Sequence, residues 1–273
     1  MNITRLFVMT LCAATLSTAA MAQGIGSLAG LRGLLYDPNG GNNCRDLPNY
    51  NQLKSALDKA VADESTGLNL DMWGTIVDRD GVVCAVAYSG ADRGSQWPGS
   101  RVISAQKANT ANAFSLDKLA LSTANLYSAV QPGGSLFGLQ ESNPVNTAVA
   151  YQGPSGNYGR PSDPMVGSKI GGVNVFGGGL ALYSPARKVI GAVGVSGDTS
   201  CADHRIGWRV RNYLSLDNLL GIGGVSGDAA RPDNMVFDIA ANINGGTGKS
   251  AGGFGHPTCS GNDGLPNTLP AVH

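Results

Sequence analysis

The sequence predicts an α/β (α+β) fold with one mainly antiparallel sheet flanked by helices, and three observations predict it. Two β-type apolar runs, residues 70–77 and 82–88, close around Asp78-Arg79-Asp80-Gly81, the composition of a tight hairpin turn. A second pair, residues 179–183 and 189–195, closes around Ser184-Pro185-Ala186-Arg187-Lys188. Segments with helical spacing flank and separate these blocks, so the order is not that of βαβ crossover units.

The first helix is expected over 48–64. Pro48 suits a first turn, and Tyr50, Leu53, Leu57 and Val61 recur at three- or four-residue spacing. After the first hairpin, a helix over 100–114 carries Ile103, Lys107, Thr110 and Phe114 on one stripe, with alanines that permit close packing. A further helix is expected over Leu116–Val130. Residues 131–168 form a Pro/Gly/Asn-rich excursion, longer than loops usually are. A short strand at 171–176 precedes the second hairpin. The last helix, 199–214, starts at a capping Asp198 or Thr199 and carries Ala202, Ile206, Val210 and Leu214. The tail, 217–273, is loop-rich, with one strand expected at Met235–Ile239 and a loose terminal His273.

The first 22 residues read as a cleavable leader: Arg5, an apolar stretch to Ala20, then Ala20-Met21-Ala22 as the small-x-small site. Residues 23–46 follow as an extended arm. Removing the leader leaves 18 Lys/Arg against 19 Asp/Glu, which argues against an electrostatic footprint for nucleic acid or anionic membrane. Cys44, Cys84, Cys201 and Cys259 remain, an even count that suits two disulfides in an oxidising compartment, periplasmic or extracellular. Three connectivities are open.

Four blocks carry a family resemblance: residues 77–83 around Asp78-Arg79-Asp80-Gly81, residues 104–111 around Gln106-Lys107, Gly171-Gly172-Val173, and residues 189–197 ending in Gly194-Val195-Ser196-Gly197. In this order they resemble the GlcG/HbpS-like haem-binding family, also called the haem-degrading domain family. The resemblance spans about 47–214; the domain is taken as 47–216, with 217–273 as an extension. It implies a profilin-like sandwich, a homo-oligomer and binding of haem or another tetrapyrrole. It also covers relatives near corrinoid and glycolate metabolism with no settled activity.

Haem iron takes an axial His most often. His204, on the last helix beside Arg205, is the first candidate; His256, in Gly255-His256-Pro257, is the alternative. Lys107, Arg101 and Arg205 are candidates for ligand carboxylates, with Arg93 beside the entrance of the 100–114 helix, where the helix dipole favours anions. Trp97, on a loop, is the ligand-facing aromatic. Asp78 and Asp80 read as turn residues. Ser196 lacks the G-x-S-x-G elbow, so no Ser/His/Asp triad is assigned. The leading reading is an exported binding protein holding haem or a related anionic planar ligand between the sheet and the 100–114 helix. The alternatives are an enzyme acting on a small organic acid, with Lys107 for its charge, and an oligomeric assembly protein without ligand.

Overall fold

A computed structural model describes residues 42–246, 248–259 and 269–273, with side chains from Cys44 onward. The leader at 1–22 and most of the arm lie outside the described residues. Helix α1 (Tyr50–Ala62) starts two residues after Pro48 because Asn49 caps it. The Asn49 side chain accepts from Gln52 N at 3.2 Å, and Gln52 Oε1 accepts from Asn49 N at 2.9 Å.

Strands β1 (Trp73–Asp78) and β2 (Val83–Tyr88) form the first hairpin. Asp78 Oδ1 accepts the N–H groups of Asp80 and Val82, both at 2.9 Å. Gly81 takes the left-handed φ of +77° that the turn requires. β3 (Gly179–Tyr183) and β4 (Val189–Ser196) form the second hairpin, and antiparallel pairing of β1 with β4 joins the two in the order β2-β1-β4-β3.

Helix α2 (Ser100–Phe114) covers one face of the sheet; α1 and α3 (Ser200–Tyr213) cover the other. Alternation along β1 sorts the layers: Trp73 and Val77 face α2, whereas Ile76 faces the α1/α3 core. Thr75 Oγ1 and Ser104 Oγ share a buried hydrogen bond of 2.7 Å beneath α2. The helix lies flush because the contact is made of small residues: a Cβ on Gly194 would sit 1.9 Å from Ser104 O. Ala105, Ala108 and Ala111 are fully buried there. The space expected for a ligand between the sheet and this helix is therefore filled with protein.

Several sequence expectations need correction. Leu116–Val130 is not an α-helix but an irregular stretch with two 3-10 turns, Thr123–Leu126 and Ser128–Val130. Asn125 Oδ1 accepts from both Ser122 N and Ser122 Oγ at 2.9 Å, and Ser115 Oγ bonds Leu121, so side chains compete with helical pairing. No strand forms at 171–176: Gly171 and Gly172 have φ of +63° and +79°, and Asn174 N donates to Thr110 Oγ1 instead of a ladder. In the tail, β5 is only Ile239–Ala240, paired with β6, Lys249–Ser250. Met235 packs instead beside Cys201, its N–H taken by Asn234 Oδ1.

The chain end is not loose. Leu269 and Val272 are buried in the α1/α3 core, Trp208 Nε1 donates to Pro270 O, and His273 Nδ1 lies 2.9 Å from Asp217 Oδ1. Two disulfides form, Cys44–Cys84 and Cys201–Cys259. The first ties the arm to β2; the second ties the tail to the start of α3. Among the described residues, no helix is long and apolar enough to cross a membrane.

Candidate functional site

A cleft of about 610 Å³ opens at the start of α2. Its walls include Trp73, Arg93, Pro98, Arg101, Tyr151 and Tyr158. β1 supplies Trp73, which meets Tyr88 edge-on at 5.3 Å and donates its Nε1–H to Trp97 O at 3.1 Å. The 131–168 excursion supplies the opposite wall.

Arg101 holds that wall in place. Its guanidinium makes a two-pronged ion pair with Asp163, donates to Ala150 O at 2.7 Å and stacks 3.7 Å from the Tyr158 ring centroid. Asp163 also accepts from Gly159 N and Met165 N, so one buried carboxylate organises the returning loop. Tyr158 OH donates toward Tyr151 O and Gln152 O, which fixes its ring.

Arg93 differs from Arg101. It is exposed at the cleft, and among the described residues its side chain has no ion pair or hydrogen bond. Asp92 is turned back to cap Gly94 N at 2.6 Å. Gly99 precedes α2 without a side-chain cap; Ser100 N donates to Trp97 O at 3.0 Å and Arg101 N to Pro98 O at 3.4 Å, and the positive end of the helix dipole lies beside the cleft.

The other expected ligand residues sit elsewhere. Trp97 is 51% exposed and does not line the cleft; its carbonyl accepts the Nε1–H of Trp73, which does. Lys107 Nζ is buried, 2.6 Å from Asp203 Oδ2 and 3.2 Å from Val195 O. Burial pushes Asp203 up to about 6, against the pull of the Lys107 ammonium and the N–H groups of Gly197 and Asp198. The pair pins α2 to α3. Arg205 Nε lies 3.0 Å from Glu64 Oε2, which Arg209 also reaches at 3.2 Å, so these cations hold α3 to the end of α1.

Neither candidate iron ligand borders the cleft. His204 is buried on α3 beside Trp208, 6.0 Å between centroids, and neither ring nitrogen makes a hydrogen bond. Burial pushes its pKa down to about 3, so it is neutral. His256 is buried as well, its Nε2 2.8 Å from Ser200 Oγ and its Nδ1 2.7 Å from Pro257 O. Its pKa is lowered to about 4, again chiefly by burial.

Sequence reasoning found the entrance of α2 but missed Trp73, Tyr151, Tyr158 and Asp163. Trp73 lies inside the apolar 70–77 run, and the other three lie in an excursion without periodicity. It also missed the pairing of Ser200 with His256.

The cleft suits the ring and carboxylates of haem: flat aromatic walls, an unpaired cation and a volume within the usual range for small-molecule pockets. For iron, its lining offers the phenol of Tyr151, a residue 60% exposed, and no imidazole. Tyr is an established, though less frequent, axial ligand.

A solved structure of the Klebsiella pneumoniae protein ORFY is 27% identical, with 60% of this chain and 86% of that chain covered, at a TM-score of 0.42. A PduOC:heme complex is 23% identical, with coverage of 60% and 89% and a TM-score of 0.42. HbpS itself is 14% identical, with coverage of 60% and 86% and a TM-score of 0.40. No curated protein matches the chain. The model of a family described as haem degrading protein HbpS-like matches residues 50–210, more than half of the chain, and the chain belongs to that HbpS-like family.

Proposed function

We propose that this is an exported, soluble binding protein for haem or a related anionic planar ligand, seated in the cleft at the start of α2. The observation that carries the reading is an unpaired Arg93 over a cleft walled by Trp73 and Tyr158. Arg93 and the helix start face the ligand carboxylates, while Arg101 keeps the aromatic wall closed through Asp163. Family membership supports haem as the first ligand to try. Export through the 1–22 leader is supported by two disulfides, which persist in oxidising compartments. Homo-oligomer formation belongs to the same reading and is measured by light scattering.

Haem titration of the purified mature protein tests the proposal by absorption. A saturable Soret shift at micromolar haem is expected. If Tyr151 meets the iron, Tyr151→Phe changes that spectrum while His204→Ala and His256→Ala leave it intact. A spectrum lost only with His204→Ala places the iron on α3. No shift in the wild type removes haem from the reading.

A further inference from the structure

We propose that Ser200 and His256 form a nucleophile–base pair able to cleave small carboxylic esters that carry an apolar group. The inference is independent of the haem reading and uses a different part of the molecule. Ser200 is the first residue of α3 and is half-buried, while His256 is buried.

The hydrogen bonds fix the tautomer. Pro257 O can only accept, so the proton of the neutral ring sits on Nδ1, 2.7 Å away. Nε2 is then a lone pair, and it faces Ser200 Oγ at 2.8 Å. A base whose far nitrogen is held by an acceptor is the arrangement that activates a serine; here a backbone carbonyl stands where a carboxylate often does. Burial lowers His256 to about 4, so at neutral pH Nε2 carries a lone pair but is a weak base, which lengthens the time each proton transfer takes.

The site is built rather than incidental. The Cys201–Cys259 disulfide joins the residue after Ser200 to the third residue after His256. His256 N donates to Val236 O at 2.8 Å, and Ser128 Oγ donates to Gly255 O at 2.6 Å, fixing the loop on both sides. Gly177 N donates to Ser200 Oγ at 2.7 Å, which orients the hydroxyl. Tyr127 lies 5.1 Å from the His256 ring and 6.3 Å from that of Phe176, which is 46% exposed. These two rings offer an apolar flank to an acyl or leaving group.

In the reaction, Ser200 Oγ bonds to the ester carbonyl carbon as its proton passes to His256 Nε2. The tetrahedral oxyanion collapses, the carbon–oxygen bond to the alcohol breaks, and Nε2 returns the proton to the departing alkoxide. Water, deprotonated by the same nitrogen, then frees the acid and restores the serine.

The test uses the haem-free mature protein with both disulfides intact. A fluorophosphonate probe followed by peptide mass spectrometry should place the adduct on Ser200, and p-nitrophenyl butyrate should be turned over. Ser200→Ala should lose the adduct and fall to the buffer rate; His256→Gln should slow labelling about 100-fold, within the range for a general base. The wild-type measurement is decisive without any substitution. A folded wild type that gives no Ser200 adduct under excess probe overturns the proposal, as does Ser200→Ala hydrolysing the ester at the wild-type rate.

Discussion

The starts of α2 and α3 are built to opposite designs. At α2 the entrance is wide, charged and roofed by the 131–168 excursion, which an ion pair, Arg101–Asp163, holds down. At α3 the Ser200 hydroxyl and the His256 imidazole are close-set and neutral, roofed by the tail, which the Cys201–Cys259 disulfide holds down. The first lies inside the segment matched to the family; the second borrows residues 256–259 from outside it. One scaffold therefore presents two helix starts, and what each can do follows from the irregular segment laid over it and from the tether. An ionic tether leaves a cleft that can admit a flat anion. A covalent tether places one imidazole within hydrogen-bond reach of one hydroxyl.

Cutting each tether should give the largest effects. Arg101→Ala leaves Asp163 buried without its counter-ion, which costs about 3–5 kcal/mol in denaturant unfolding. It should abolish the haem response and spare probe labelling at Ser200. Replacing Cys201 and Cys259 with Ala releases a cross-link spanning 58 residues, a loss of about 4 kcal/mol in the chain-entropy account. It should do the reverse: labelling falls and the haem response stays. If either lesion removes both signals, the two helix starts are not separate sites.

These two designs were unequally legible in the sequence. The Asp80-Gly81 turn and the residue range of α2 were readable because both rest on local chemistry: turn composition for one, a stripe of alternating small and long side chains for the other. The closeness of α2 to the sheet was half readable, since its alanines were noted but Gly194 opposite them was not. The roof over α2 depends on Asp163, whose partner is 62 residues away, and no periodicity points to it. Ser200 and His256 are 56 residues apart on a helix start and a loop, so no elbow motif could show them. The cysteines held the missing signal: pairing Cys201 with Cys259 brings 256 beside 200, but parity alone leaves three connectivities open. The Leu116–Val130 error has the opposite cause, because its apolar residues suit a helix while Ser115, Ser122 and Asn125 capture the backbone.

Acidification should act on the α3 side through its buried imidazoles, and more weakly than cutting a tether. His204 and His256 have folded pKa values of about 3 and about 4, below the ordinary 6.5, so the unfolded chain takes up their protons first. Their contribution is complete above pH 6.5 and is lost as pH falls toward 4 and then 3. Asp203, raised to about 6, opposes this by taking its proton in the folded state first. Two imidazoles outweigh one carboxylate, leaving a net loss on the order of 3 kcal/mol at pH 4. Unfolding midpoints measured from pH 7.5 to 4 check it. His204→Phe, which removes a buried ring with no hydrogen bond, should flatten the curve; an unchanged slope would clear His204 of the acid sensitivity.

The smallest effect is expected at Arg93, and it bears most directly on the cleft. Arg101 and Arg93 both line it, yet Arg101 is already neutralised by Asp163 whereas Arg93 is not. Arg93 is also exposed, so its attraction for a ligand carboxylate is weakened by water and screened by salt. An exposed pair of this kind contributes about 1 kcal/mol, which is roughly fivefold in affinity. Arg93→Ala should therefore raise the haem dissociation constant about fivefold at low salt and less at 0.5 M salt, with the unfolding midpoint unchanged. Arg93→Lys should recover most of the loss, because the charge matters here more than the guanidinium shape. Titrations of the three proteins at two salt concentrations decide it. A haem affinity indifferent to all three would move the carboxylates away from the start of α2, and the cleft would lose its claim to the ligand.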